Sequence, residues 1–171
     1  LMGSFVTMYN YISFKFLEEP YALSATIVGW IFLVYLVGTF SSAWFGSLSS
    51  KYGKQPVLYL GIIIFLAGLL LTIPGPLFMQ IIGLIIFTFG FFAAHSVASG
   101  WVSARATHDK AQASSIYLFA YYLGSSVAGT AGGYFWMKYG WSGIVGFLGC
   151  GILLCLSCAM YIHYANRKQQ A

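Results

Sequence analysis

Gly46-Ser-Leu-Ser-Ser-Lys-Tyr-Gly-Lys-Gln-Pro56 is a short basic hinge between two long apolar runs. The 171-residue chain carries only eight Lys and Arg and three Asp and Glu. Lys51 and Lys54 therefore stand out, placed where a membrane helix must re-emerge into water.

The surrounding composition agrees. Residues are 60% hydrophobic and 6% charged, against about 25% charged in a soluble domain. A water-soluble fold needs polar surface that this chain does not have. Aromatic residues at 19% suit interfacial belts and aromatic-lined cavities. The net charge of +5 is spread over loops and not gathered on one face, so no nucleic-acid partner is expected. Cys150, Cys155 and Cys158 fall in one apolar run and indicate no disulfide framework.

Working outward from the hinge, apolar runs cover 1–17, 24–49, 55–73, 77–104, 111–137 and 141–165. A helical crossing takes ~20 residues. The first run is short, begins at Leu1 and lacks a basic leader region, so a clipped span from a longer protein is expected. Long, continuously apolar runs disfavour a β-barrel. The separators are compact: Phe16-Leu-Glu-Glu-Pro-Tyr21, the uncharged Pro74-Gly-Pro76, Arg105-Ala-Thr-His-Asp-Lys110 and Tyr139-Gly-Trp141. With alternating sides, Lys51, Lys54, Arg105, Lys110, Arg167 and Lys168 face one compartment, and Lys15 and Lys138 the other. The basic side is expected to be cytoplasmic, with both termini of the segment.

Small residues mark packing ridges: Gly38, Ser42, Gly46 and Ser50; Gly90, Ala94 and Ala98; Gly124, Ala128 and Gly132 beside Ser125, Gly129 and Gly133. Such ridges let backbones approach closely in lipid. Kinks are expected at glycine.

Intramembrane polar groups are few. Runs two to six hold no Asp or Glu, so a carboxylate that couples transport to protons would lie outside this chain. His95 shares a helical stripe with Thr88, Ser99 and Ser103. It is read either as a neutral imidazole bonded to another helix or as a cavity-lining group. Ser114, Tyr117 and Tyr121 share a face of the fifth run, with Tyr121 the deeper. Tyrosines offer a stacking surface and a hydroxyl, which suits an amphipathic organic ligand, although Tyr117 also fits an interfacial belt. Tyr9, Asn10 and Ser13 cluster on the first run, where an amide needs another helix or a wet cavity. A Ser–His hydrolase is disfavoured, because Ser99 lies on the same helix as His95 with no nucleophile motif around it. Cys155 and Cys158 share a face, but no His or acid joins them, so neither metal nor cofactor is expected.

Gly46-x-x-x-Ser50-Lys51-x-Gly53-Lys54 resembles the loop signature of the major facilitator superfamily, Gly-x-x-x-Asp-Arg/Lys-x-Gly-Arg/Lys. In that family it lies between the second and third helices of each half, and here between the second and third runs. Ser50 replaces the aspartate; the second-half copy is commonly degraded, so the resemblance favours a C-terminal half. Gly90–Trp101 and Ala113–Gly129 look like the tenth and eleventh helices of YnfM-like bacterial inner-membrane transporters, and Gly132–Trp136 with Gly140-Trp141 continue the likeness.

The resemblance implies an all-α membrane protein: a six-transmembrane-helix bundle, helices seven to twelve of a twelve-helix transporter, spanning 1–171. It implies alternating access by two rocking bundles. The implied cavity helices are the first, second, fourth and fifth, with Tyr9, Asn10, His95, Ser99 and Tyr121 as candidate liners. Gly46, Ser50, Lys51, Gly53 and Lys54 would form a gating loop whose lysines brace neighbouring helices. Partners would be a small-molecule substrate, a coupling proton, membrane lipid and the absent N-terminal six-helix half, with efflux by antiport as the analogy. The alternative is a six-span interaction or scaffold protein, or a dimerising half-transporter.

Overall fold

Helix boundaries follow the apolar runs closely, because each run ends where a glycine, a proline or a charge interrupts it. The computed structural model describes residues 1–73, 75–106 and 108–170, apart from the side chains of Asn166, Arg167, Gln169 and Gln170. Pro74 of the expected turn, Thr107 of the polar loop and the Arg167 side chain thus lie outside the described residues. Among the described residues, regular structure is helical throughout.

Helix α1 covers Met2–Leu17, α2 Ala25–Trp30, α3 Tyr35–Tyr52, α4 Lys54–Leu71, α5 Leu77–Arg105 and α6 Lys110–Gln170. A 3-10 stretch, Ile31–Val34, joins α2 to α3 and makes Ala25–Tyr52 one apolar span. Ser24 caps α2 by accepting the Ile27 N–H at 3.4 Å. The segments Ala25–Tyr52, Lys54–Leu71, Leu77–Arg105 and Lys110–Ala165 are long and apolar enough to cross a membrane. At 16 residues, α1 falls short of the ~20 that a crossing takes.

The longest helix is two helices. At Gly140 the backbone adopts φ 58° and ψ −143°, which a side chain would disfavour, and the chain folds back. The rings of Phe135 and Phe147 stack 4.5 Å apart at 14°. On a continuous helix, residues twelve apart would be separated by about 18 Å. The two arms of α6 therefore run antiparallel and match the expected runs 111–137 and 141–165. Pro56 sits in the first turn of α4, where its missing N–H has no partner to lose.

In lipid, burying one phenyl ring against another removes no water, so close packing must hold the helices together. The α4–α5 seam shows how. A Cβ on Gly61 would sit 2.8 Å from the Ala94 backbone nitrogen, and Cβ atoms on Gly68 and Gly90 would run into the backbones of Phe87 and Phe65. Phe65, Phe87 and Phe91 are fully enclosed beside this seam. The fifth-run ridges pack on α1: Gly132 faces Thr7 and Tyr11, and Ala128 faces Gly3.

The ridge expected on the second span is different. Its buried face is Gly38, Ser41, Phe45 and Ser49, whereas Gly46 meets nothing within 4 Å and Ser50 is exposed. A four-residue step overshoots a full turn by about 40°, so a ridge spaced by four drifts off the contact face within three steps.

Two ends of the bundle follow from this topology. The Lys15 end gathers the α1–α2 hairpin, the α4–α5 turn and Gly140. The basic-loop end gathers Gly53 and the α5–α6 connection.

Candidate functional site

Midway along the bundle, α1, α3, α5 and the first arm of α6 bring aromatic rings together. Phe5 of α1 stacks on Phe91 of α5 at 3.9 Å and 15°. Phe91 stacks in turn on the His95 imidazole, 5.6 Å away and 7° from parallel. One turn apart on α5, these two residues share a face by helical geometry. Tyr35, the first residue of α3, lies 4.7 Å from the Tyr9 ring and edge-on to Phe92.

Three members of the polar stripe on α5, Thr88, His95 and Ser103, meet neighbouring helices in order. Thr88 donates its hydroxyl proton to the Leu84 carbonyl at 2.8 Å. Tyr9 must therefore be the donor in the buried 2.7 Å bond between its hydroxyl and Thr88 Oγ1. His95 Nδ1 and the Tyr117 hydroxyl are 2.8 Å apart, and Tyr121 places its ring 4.9 Å from the imidazole. Ser103 Oγ lies 3.1 Å from Ser114 Oγ and donates to the Ser99 carbonyl at 3.2 Å.

The expected liners thus separate. Tyr9 is buried within the bundle, although it was grouped with Asn10, which is exposed beside Gly129 on the flank of α1. The two residues are about 100° apart on the helix, enough to put one inside and the other outside. His95 and Tyr121 lie together, and Tyr121 also lines a recess of about 300 Å³ with Tyr117, Ala98 and Cys155. Ser99 is half-buried, with its hydroxyl returned to the Ser96 carbonyl at 3.1 Å. Tyr117 turns its hydroxyl to His95. Tyr35 and Phe92 belong to the cluster but were not singled out in the sequence. Tyr35 gave a signal, a lone tyrosine in the apolar stretch Ile31–Gly38.

In the loop, Gly53 has φ 90° and ψ 152° and is the single residue that joins α3 to α4. Lys54 reaches α5, donating to the Gly100 carbonyl at 3.0 Å. Lys51 instead lies 5.0 Å from the ring of its own neighbour Tyr52. Ser50 returns its hydroxyl to the Gly46 carbonyl at 3.3 Å.

A second polar centre went unread in the sequence. Lys15 Nζ donates to the Thr72 carbonyl at 3.0 Å and to Gln80 Oε1 at 2.7 Å, and lies 4.3 Å from the Trp141 ring centroid. Trp141 Nε1 donates to the same Thr72 carbonyl at 2.5 Å, and Gln80 Nε2 to Ile73 O at 2.9 Å. The carbonyls left open at the end of α4 are thus closed by a cation and two N–H donors from three other helices. Gln80 was the available signal, the one carboxamide in its apolar run.

Among the described residues, no three His, Cys, Asp or Glu groups come together to hold a metal ion. Cys150 and Cys158 are exposed and Cys155 half-buried, all as free thiols. The central cluster offers aromatic faces, hydroxyls and one imidazole. Those groups can hold and orient an amphipathic organic molecule.

The family model described as Major Facilitator Superfamily matches residues 1–171. The chain is 48% identical over 162 residues to the uncharacterized MFS-type transporter YybF of Bacillus subtilis (strain 168), covering 95% of this chain and 40% of that protein. It is 46% identical over 163 residues to the inner membrane transport protein YnfM of Escherichia coli (strain K12), covering 95% and 39%. An uncharacterized transporter of Buchnera aphidicola subsp. Schizaphis graminum (strain Sg) is 45% identical over 148 residues, covering 86% and 36%. The chain therefore spans 40% or less of the length of these relatives. With its apolar helices and a match over its whole length, the chain is a multi-pass membrane protein, and it belongs to the Major Facilitator Superfamily.

Proposed function

We propose that the chain is the C-terminal six-span half, helices seven to twelve, of a secondary transporter that moves small organic molecules across a bacterial inner membrane. The observation that carries this reading is the convergence of Tyr9, Tyr35, His95, Tyr117 and Tyr121 from four helices at mid-bundle. Aromatic walls with few placed polar groups suit an amphipathic cargo. The relatives' names support transport, and YnfM is named as an inner membrane protein.

In this reading the two halves rock to expose the central face alternately to each side. The basic-loop end faces the cytoplasm, six Lys and Arg standing there against two at the other end. Export is coupled to protons, and the coupling carboxylate lies outside this chain, because runs two to six contain none. Lys54 braces α5 as the cytoplasmic gate closes, and Asn10 meets the other half across the cavity.

The test is transport in proteoliposomes. The 171-residue chain alone should show no vectorial flux, whereas the transporter containing both halves should show it. In the latter, His95→Ala should change substrate range or pH dependence. Flux through the isolated chain would overturn the half-transporter reading.

A further inference from the structure

The Lys15 end contains a recess of about 650 Å³, away from the central cluster and independent of the function proposed above. Sites for small molecules are roughly 300–1,000 Å³. Lys15 forms part of its wall, and Glu18 and Glu19 stand on its rim. Tyr21 and Trp136 supply half-buried aromatic surface, while Trp141 lies buried behind them against the Lys15 ammonium.

Three features make this more than a gap between loops. First, the ammonium of Lys15 has three donors, of which Thr72 O and Gln80 Oε1 take two. Its bonded partners are neutral, and neither nearby glutamate is among them. Second, the turn that carries the glutamates is tied through its backbone: the Tyr21 and Ala22 N–H groups donate to the Glu18 carbonyl at 3.1 and 2.9 Å. Tyr21 then anchors the hairpin by donating to the Gly75 carbonyl at 2.6 Å. Third, Trp136 stands edge-to-face against Trp141, 6.5 Å away at 81°. Opposite charges thus face one recess without closing on each other.

These charges discriminate between ligand classes. A plain anion seeking Lys15 would pass two carboxylates of its own sign, and a plain cation would be driven against a half-buried ammonium. A molecule bearing both charges satisfies both ends. We propose that this recess binds a zwitterionic aromatic amphipath, with its carboxylate on Lys15, its ammonium against Glu18 and Glu19, and its ring against Tyr21 and Trp136.

The experiment uses the purified chain in lipid nanodiscs, titrated by calorimetry with L-phenylalanine, N-acetyl-L-phenylalanine and L-phenylalanine methyl ester. L-Phenylalanine should bind about tenfold or more tightly than either single-charge derivative. Lys15→Met should remove the preference over the ester. The double variant Glu18→Gln, Glu19→Gln should remove the preference over the N-acetyl compound. The glutamates are exposed, so the double variant leaves the packed node intact and decides the matter even if Lys15→Met fails to fold. Equal binding of the three compounds, binding of none at millimolar concentration, or an unchanged preference in the glutamate variant overturns the proposal.

Discussion

At the Lys15 end, α1, α5 and α6 send a lysine, a glutamine and a tryptophan to the carbonyls that close α4, and the bonds are short and sheltered. At the basic-loop end, the ties are single. Lys54 holds one exposed carbonyl of α5, Ser103 meets Ser114, and Gln55 of α4 meets His163 of α6. Helices fixed by one shared node move together, whereas helices joined by isolated single bonds open locally at lower free energy. The difference teaches where the helices are held together rigidly and where they can yield.

The comparison breaks hardest at Lys15. Lys15→Met removes two charge-assisted hydrogen bonds and leaves Gln80 Oε1 without its donor. It should lower the unfolding free energy by about 3 kcal/mol, read by SDS titration of the purified chain. A loss no larger than that from a basic-loop lysine would erase the contrast. Next comes Gly53→Ala at the opposite end. Its φ 90° and ψ 152° are a conformation that L side chains rarely adopt, so the change should cost about 2 kcal/mol. Thermal melting would report this, with faster proteolysis confined to the α3–α4 junction.

Smaller effects sharpen the picture. Tyr117→Phe unties His95 Nδ1 and should cost about 1 kcal/mol. In the transporter proposed above it should also shift substrate preference, measured as competition between cargo molecules. Lys54→Met should change stability by less than about 0.5 kcal/mol, as expected of an exposed tie. Its mark should be faster hydrogen exchange at the end of α5 near Gly100. A loss as large as that from Lys15→Met would show that the two ends are tied alike.

Much of the architecture was legible in the sequence, because membrane spans are written in continuous apolarity and end at glycine, proline or charge. Gly53 and Gly140 were visible as hinge points, and the α5 stripe of Thr88, His95 and Ser103 was legible as a polar face. Its partners were less so: a helical period says that His95 must face something, but not that Tyr117 is what it faces. The Lys15 node was invisible for a deeper reason. Two of its acceptors are backbone carbonyls, which every residue possesses, and its side chains come from positions 15, 80 and 141. No local period links them. The 3-10 stretch Ile31–Val34 left no mark either, its residues being ordinary apolar ones.

The reversal at Gly140 bears on how the chain enters a bilayer. Because it takes place at one residue, the stretch 110–165 offers the insertion machinery no hydrophilic linker between its two arms, apart from Lys138 close to the bend. A translocon that releases helices one by one would have to hold the first arm in lipid before its partner exists. Phe135 and Phe147, already stacked across the bend, give the pair a reason to leave the pore together as a preformed hairpin. Biogenesis of this segment would then be a single partitioning event, with Gly140 as the residue that permits it.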